Sequence, residues 1–212
     1  MFAPLPFALH ANAGCPPHAE LALSLAWTFE DVDAAALDAE LDALARYLPA
    51  PASAHPLDEL KSLARVGPRA GPPSAVDTDG LLLHTVLGSR APHPLALAIV
   101  AAEVARRRGV PVGIVSNGSD HLLGHTELEA PLLLDVDTGR VVAADLLPPT
   151  LTWRCAHETA GLLLDELEPR WLAQGRLDKA LQAAELRLCL PFDENGKRIA
   201  ARRLRRVRAR LN

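Results

Sequence analysis

The chain has 212 residues, of which 49% are hydrophobic and 23% are charged. These fractions are typical of a globular protein and exclude collagen-like, coiled-coil and wholly disordered chains. At about 100–200 residues per domain, the length predicts one compact unit or one unit with a small appendage. The longest apolar run, residues 94–102, is half the length of the ~18 residues that a membrane span needs, so we expect no membrane partner.

The net charge of −4 is unevenly distributed along the chain. Residues 191–212 contain eight Lys and Arg residues against two acidic residues, so this tail carries +6 and the rest of the chain −10. A basic tail of this kind is either an arm that binds nucleic acid or a helix whose arginines pair with the protein's own carboxylates. We favour internal pairing and keep nucleic-acid binding through residues 196–212 as the alternative.

The three cysteines are Cys15, Cys155 and Cys189. An odd number of cysteines in a chain of this length argues against a disulfide framework and predicts a cytoplasmic location. The Ala-Gly-Cys sequence that ends at Cys15 is similar to a lipoprotein cleavage site, but the residues before it contain two prolines and no Lys or Arg, unlike a signal peptide. We therefore predict that residues 1–18 are disordered.

Helical periodicity dominates the first half of the chain. Apolar residues recur at helical spacing in two stretches between residues 19 and 47, which predicts two amphipathic helices. A series of prolines ends the second helix, and a short helix is predicted over residues 57–64. A Gly/Pro-rich loop follows at residues 67–73.

The next two helices differ in character. Asp77 or Asp79 is a predicted N-cap for a short helix over residues 81–87. The following helix, from Pro94 to Arg108, is apolar over most of its circumference for two turns. The residue after it is a glycine, which is common at the C′ position because that position has a left-handed backbone. A helix with this pattern is usually buried at the centre of a fold.

After the buried helix the periodicity becomes that of strands. Residues 110–115 are rich in β-branched side chains, an Asn-Gly pair at Asn117 predicts a tight turn, and residues 121–127 alternate in polarity. Residues 132–142 have the pattern of a further hairpin. We therefore predict an α+β fold, in which helices precede an antiparallel sheet of three or four strands.

The remainder of the chain returns to helical periodicity. Helices are predicted over residues 156–172, 177–190 and 196–211, and the last has apolar residues on one face and arginines on the other. The predicted division of the chain is a disordered segment at 1–18, a main domain at 19–152 and a helical tail at 153–212.

Part of the chain has a pattern more specific than periodicity alone. The helix that begins at Pro94 ends in Glu103-Val-Ala-Arg-Arg-Arg-Gly-Val-Pro-Val, and it is followed by an Asp-His pair at His121 and a Leu-Leu-Asp-Val segment at Asp135. These pieces resemble the bacterial SirB family, in which a transglutaminase-like domain precedes a tetratricopeptide-like tail. The resemblance covers about residues 19–195, including a segment that looks like one tetratricopeptide-like hairpin.

The resemblance implies both a fold and a site. The fold is a transglutaminase-like or papain-like core, with helices and a buried helix packed on a small antiparallel sheet. Active members of such folds use a cysteine at the start of the buried helix, a histidine base on a strand and an aspartate that orients the imidazole. The resemblance puts His121 at the base position, Asp135 at the orienting position and Ala96 at the nucleophile position.

Ala96 decides the predicted function, because an alanine cannot attack a carbonyl. His121 and Asp135 are then vestigial catalytic residues, and we predict a pseudoenzyme that acts by binding a peptide or protein. The alternative is a cysteine hydrolase or transferase with a relocated thiol. Such a thiol, Cys15 or Cys155, would have to lie within about 3 Å of His121.

The remaining candidate residues are histidines and carboxylates. On strands, His121 and His125 share a face, as do Asp135 and Asp137, and such a set could bind zinc or iron. Because Asp137 begins an Asp-Thr-Gly turn sequence, we predict neither a metal nor another cofactor. Three further residues are expected to be structural: His84 and His93 at the surface beside helix ends, and Cys189 in the core.

Overall fold

The structure is a computed structural model that describes residues 5–66, 78, 80–89, 92–117, 119–129, 132–146 and 150–210. The helices that precede the sheet are α1 (Phe7–Asn12), α2 (His18–Phe29), α3 (Ala34–Tyr47), α4 (Pro56–Ser62), α5 (Leu83–Val86) and α6 (Pro94–Arg107). The strands are β1 (Val112–Ser116), β2 (His121–His125), β3 (Leu132–Asp135), β4 (Arg140–Ala143) and β5 (Thr152–Arg154). The chain continues through α7 (Ala156–Ala173), α8 (Leu177–Arg187) and α9 (Glu194–Arg208).

The sheet is antiparallel, with the strand order β4-β3-β2-β1-β5. The predicted α+β arrangement is therefore present, with one strand more than the sequence indicated. The unpredicted strand, β5, has only three residues, and two of them are exposed. It lacks the alternation of buried and exposed residues that identifies a strand in a sequence, and only its pairing with β1 defines it.

Helix α6 is the centre of the fold. Every residue from Leu95 to Ala105 is buried, as its apolar circumference predicts, and the helix packs against α2, α3 and α5 on one side and β1 and β2 on the other. The inner face of the sheet, which includes Ile114 and Leu123, belongs to the same hydrophobic core as α6. Functional side chains on that face are therefore held between the sheet and the helices.

The Glu-Val-Ala-Arg-Arg sequence at the end of α6 forms an ion-pair network. Glu103 is 4% exposed and accepts hydrogen bonds from Arg106 and Arg107. Arg107 also bonds to Asp38 and Asp42 of α3. Burial favours the neutral acid, but these hydrogen bonds hold the pKa of Glu103 below its usual range. The network joins two helices, so this part of the sequence motif has a structural role.

The N-terminal segment is more ordered than its sequence suggests. Residues 1–18 were expected to be disordered, but within the described part of that segment residues Phe7–Asn12 form α1. Phe7 and Ala11 are each 1% exposed, and α1 packs on α2. The burial of a phenylalanine explains the difference, because it stabilises a helix too short to form alone.

The helices after the sheet share the core of the rest of the protein. Trp171 of α7 is 1% exposed, and its ring centroid lies 4.3 Å from that of Phe29 on α2. From α8, Lys179 forms an ion pair with Glu30, and Gln182 donates to the carbonyl of Thr28. One hydrophobic cluster thus extends from α1 to α9.

Three predictions concern residues outside the described part of the chain: the Gly/Pro loop at 67–73 and the caps Asp77 and Asp79. Among the helices that the structure describes, none combines the length and the apolar character needed to cross a membrane.

Candidate functional site

His121 lies on the inner face of the sheet, where the family resemblance expects a catalytic base. It is the first residue of β2, it is 6% exposed, and it pairs across the sheet with Ser116 of β1. Its Nδ1 lies 3.0 Å from Oγ of Ser116. Ser116 is fully buried. The hydroxyl of Ser116 thus fixes the orientation of the imidazole.

A second histidine, His93, lies beside His121. It is the N-cap of α6, where its Nδ1 accepts a hydrogen bond from the backbone N–H of Leu95. Its ring centroid lies 5.9 Å from that of His121. The prediction that His93 and His84 lie at the surface is wrong: their side chains are 13% and 18% exposed. The start of the helix at Pro94 was predicted correctly, but a helix start does not reveal that the residue before it is largely buried beside His121.

Helix α7 contributes charges to this pair of histidines. Glu166 lies 3.6 Å from Nε2 of His93 and forms an ion pair with Arg170. Burial lowers the pKa of His93 and of His121 to about 4, although Glu166 opposes the shift for both. Both imidazoles are therefore neutral at pH 7. We call His93, Ser116, His121, Glu166 and Arg170 the histidine cluster.

Asp135 does not belong to this cluster. It pairs across the sheet with Leu122, so its side chain lies on the outer face, opposite to that of His121. The carboxylate accepts hydrogen bonds from the backbone N–H groups of Asp137 and Thr138 and from the hydroxyl of Thr138. This corrects the predicted pairing with His121: Asp135 organises the turn between β3 and β4, and Ser116 contacts the imidazole.

Ala96, which the resemblance puts at the nucleophile position, is the third residue of α6 and is 1% exposed. It packs in the core. Cys15 lies between α1 and α2, and Cys155 is the N-cap of α7. Burial raises the pKa of Cys155 and of Cys189, so both are protonated thiols at neutral pH. The structure describes a hydrogen bond from His121 to Ser116 and none from His121 to a cysteine.

The four side chains considered as metal ligands do not lie together at one site; they are His121, His125, Asp135 and Asp137. His121 and His125 share the inner face, but both ring nitrogens of His125 have partners. Nε2 lies 2.9 Å from the carboxylate of Glu59, and Nδ1 accepts from the backbone N–H of Glu127. Asp135 is the last residue of β3, and Asp137 lies in the turn that follows it.

The outer face of the sheet carries an apolar groove of about 320 Å³. Trp153 of β5 forms one wall and is 54% exposed. A Cβ atom added at Gly124 would lie 2.6 Å from the Trp153 ring, and one at Gly113 would lie 2.8 Å from it. The Trp153 indole therefore occupies space that a side chain at either glycine would fill. The outer groove is lined mainly by Val115, Gly124, Leu133, Ala144, Leu151 and Trp153.

Comparison with known families agrees with this architecture. The family model described as "Transglutaminase-like superfamily" matches residues 34–161, more than half of the chain. The protein belongs to the transglutaminase-like superfamily. The matched region begins with α3 and ends within α7, so the transglutaminase-like part includes α6, the whole sheet, Ala96 and His121. Searches of curated proteins and of solved structures gave no match.

Proposed function

We propose that this transglutaminase-like protein is non-catalytic and acts by binding an extended peptide segment in the outer groove. The observation that carries the proposal is the separation of the three catalytic positions. Ala96 is buried without a reactive group, His121 contacts Ser116, and Asp135 caps a turn on the opposite face of the sheet. Acyl transfer by a triad needs all three groups at one point.

The outer groove has the properties of a peptide-binding surface. Its lining is mainly aliphatic and also includes His125 and Glu129. A half-exposed tryptophan lies beside it at the edge of the sheet. Tryptophan is enriched among the residues that dominate binding energy at interfaces. An extended segment with apolar side chains at alternate positions fits such a surface, because alternate side chains of a strand point to one side.

We further assign the protein to the SirB family, with the antiparallel α7 and α8 as its tetratricopeptide-like hairpin. A single hairpin is short of the about three repeats that such arrays need for stability. The side of the hairpin that faces α2 is already occupied by the contact between Trp171 and Phe29. We therefore assign the peptide to the outer groove.

Nucleic-acid binding by the basic tail is the less favoured function. Two arginines of α9 pair with carboxylates of neighbouring helices, Arg203 with Asp165 and Arg208 with Glu185. Internal pairing of this kind reduces the charge available to phosphates. A cytoplasmic location stays a prediction from the three cysteines.

Selection from a random-peptide display library on the full chain tests peptide binding. We expect enriched sequences with apolar residues at alternate positions. The variant Trp153→Ala should weaken binding of these peptides by about 10–30-fold, the loss typical of a dominant interface residue. The matched control is Tyr47→Ala, which removes an aromatic side chain that is 85% exposed on α3 and should leave affinity within about twofold. Equal binding by the Trp153→Ala variant would overturn the assignment.

Thiol labelling tests the absence of a relocated triad. Metal-free protein treated with iodoacetamide at pH 7 should be labelled mainly at the exposed Cys15. The labelling rate of each cysteine should stay within about twofold in the variant His121→Ala, because a base accelerates only a thiol within hydrogen-bond reach. A cysteine whose labelling disappears with His121 would establish a catalytic pair and refute the proposal.

A further inference from the structure

Three metal-ligating side chains meet away from the histidine cluster. Cys15, Cys155 and His157 each present one ligand atom, and these atoms lie within 4.8 Å of one another. Two of the residues come from the start of α7, and the third lies in the connection between α1 and α2. We propose that Cys15, Cys155 and His157 form a zinc site with one open coordination position.

The chemistry of the three donors favours zinc. Two thiolates and an imidazole are ligands that zinc binds tetrahedrally, with bonds of about 2.3 Å to sulfur and 2.0 Å to nitrogen. In that geometry the ligand atoms are about 3.3–3.8 Å apart. The three groups must therefore approach by at most about 1 Å. Cys15, which is exposed and lies outside the helices, can supply this movement.

The imidazole provides an independent indication. His157 is 8% exposed, and its Nε2 is buried with no hydrogen-bond partner among the residues that the structure describes. A buried polar atom without a partner costs free energy comparable to that of a lost hydrogen bond. A metal ion bound at Nε2 would satisfy this atom.

The surroundings of Cys155 also suit a ligand. As the N-cap of α7, its sulfur accepts hydrogen bonds from the backbone N–H groups of His157 and Glu158. Its own backbone N–H donates to the carboxylate of Glu158 at 2.9 Å. Hydrogen bonds of this kind fix the orientation of metal ligands in proteins. Zinc binding displaces the proton of this thiol, and the helix holds the sulfur in place.

Three protein ligands leave the fourth tetrahedral position for water, as in zinc sites that take an exchangeable ligand. The ion would also join Cys15 to Cys155, residues separated by most of the chain. It would fasten the connection that precedes α2 to the start of α7, beside the existing contact of 3.0 Å between His18 and Thr159. Zinc should therefore stabilise the packing of the N-terminal helices.

Metal titration of the full chain tests the site. The protein is reduced, stripped with a chelator and titrated with Zn²⁺, and in parallel with Co²⁺ as a spectroscopic probe. We expect one equivalent of zinc to bind and the thermal midpoint to rise with zinc concentration. Bound cobalt should show thiolate-to-metal charge transfer and the strong visible bands of a tetrahedral ion.

Variants assign the ligands. Cys15→Ser and Cys155→Ser should each reduce the charge-transfer intensity of bound cobalt to about half, because one thiolate remains, and weaken zinc binding by more than the roughly 10–100-fold that loss of an outer-shell residue costs. The matched control is Cys189→Ser, which changes the third cysteine and should leave affinity and spectrum unchanged. Cys15→Ser is the decisive variant, because Cys15 is exposed and its replacement does not disturb the core.

Three outcomes would overturn the site. The first is reduced wild-type protein that binds no zinc at micromolar concentration. The second is zinc binding that Cys15→Ser leaves unchanged. The third is a Cys15–Cys155 disulfide in protein purified without reductant, together with no zinc uptake after reduction. None of these outcomes bears on peptide binding in the outer groove.

Discussion

Lowering the pH from 7 to 4 is expected to destabilise the protein by roughly 2–3 kcal/mol for each of three buried histidines. The histidines are His18, His93 and His121, and burial lowers the pKa of each to about 4. The unfolded chain binds protons at these residues as the pH falls through about 6.5. The folded protein does not bind them until about pH 4.

The direction of the effect follows from this difference in proton binding. Above about pH 6.5 the three imidazoles are neutral in both states, and their contribution to stability is fully present. Between 6.5 and 4 the unfolded state gains protons that the folded state lacks, so the free energy of unfolding falls. Below about pH 4 these groups cause no further loss. Protonation of both His93 and His121 would also place two positive charges 5.9 Å apart between ring centroids.

Urea unfolding followed by circular dichroism at pH 7, 6, 5 and 4 measures this dependence. The variant His18→Gln, which removes the group bonded to Thr159, should reduce the slope of stability against pH between 6.5 and 4. His55→Gln is the matched control, because His55 is exposed at the start of α4, and it should preserve the slope. Stability that is constant or rises from pH 7 to pH 5 would contradict the prediction.

Periodicity predicted most of the elements, because burial imposes the pattern that the sequence shows. The apolar circumference of α6 predicted its central position, and the alternation of β2 predicted a strand. Two elements were missed for physical reasons. Helix α1 is a short segment whose order depends on the burial of Phe7, and β5 is defined by its pairing with β1. Both depend on contacts between distant parts of the chain.

The candidate site was harder to predict than the fold. The sequence placed His121 on a strand, but it could not give the register that points Asp135 to the outer face. A shift of one residue in register moves every side chain of a strand to the other face. The neighbours of His121 that come from other elements, His93 and Glu166, are likewise products of tertiary packing. No local sequence pattern predicts that Cys15 lies close to Cys155.

The residues on which the family resemblance depends are of two kinds. The resemblance implies catalytic positions at His121 and Ala96, whereas Glu103, Arg106 and Arg107 build the contact between α6 and α3. The second set contributes to the stability of this protein whether or not the protein catalyses a reaction. In this chain the Glu-Val-Ala-Arg-Arg sequence therefore has a structural role that does not depend on activity.

The replacement Glu103→Ala should accordingly destabilise the protein by about 1.5–3 kcal/mol in the free energy of unfolding, because the buried carboxylate accepts charge-assisted hydrogen bonds from two arginines. Glu103 is 4% exposed, and Arg107 is 15% exposed. Removal of the carboxylate leaves the largely buried Arg107 guanidinium with Asp38 and Asp42 as its partners, which are 68% and 49% exposed, so its desolvation penalty is only partly offset.

The matched control is Asp38→Ala, which removes another partner of the same Arg107. Asp38 is 68% exposed, so its ion pair is screened by water and its loss should cost about 0–1 kcal/mol. Urea unfolding at pH 7 compares the two variants with the wild type. Equal losses for the two variants would show that the burial of Glu103 does not set the strength of the network. A loss confined to Glu103→Ala would locate the stabilising effect of the family motif in the buried carboxylate.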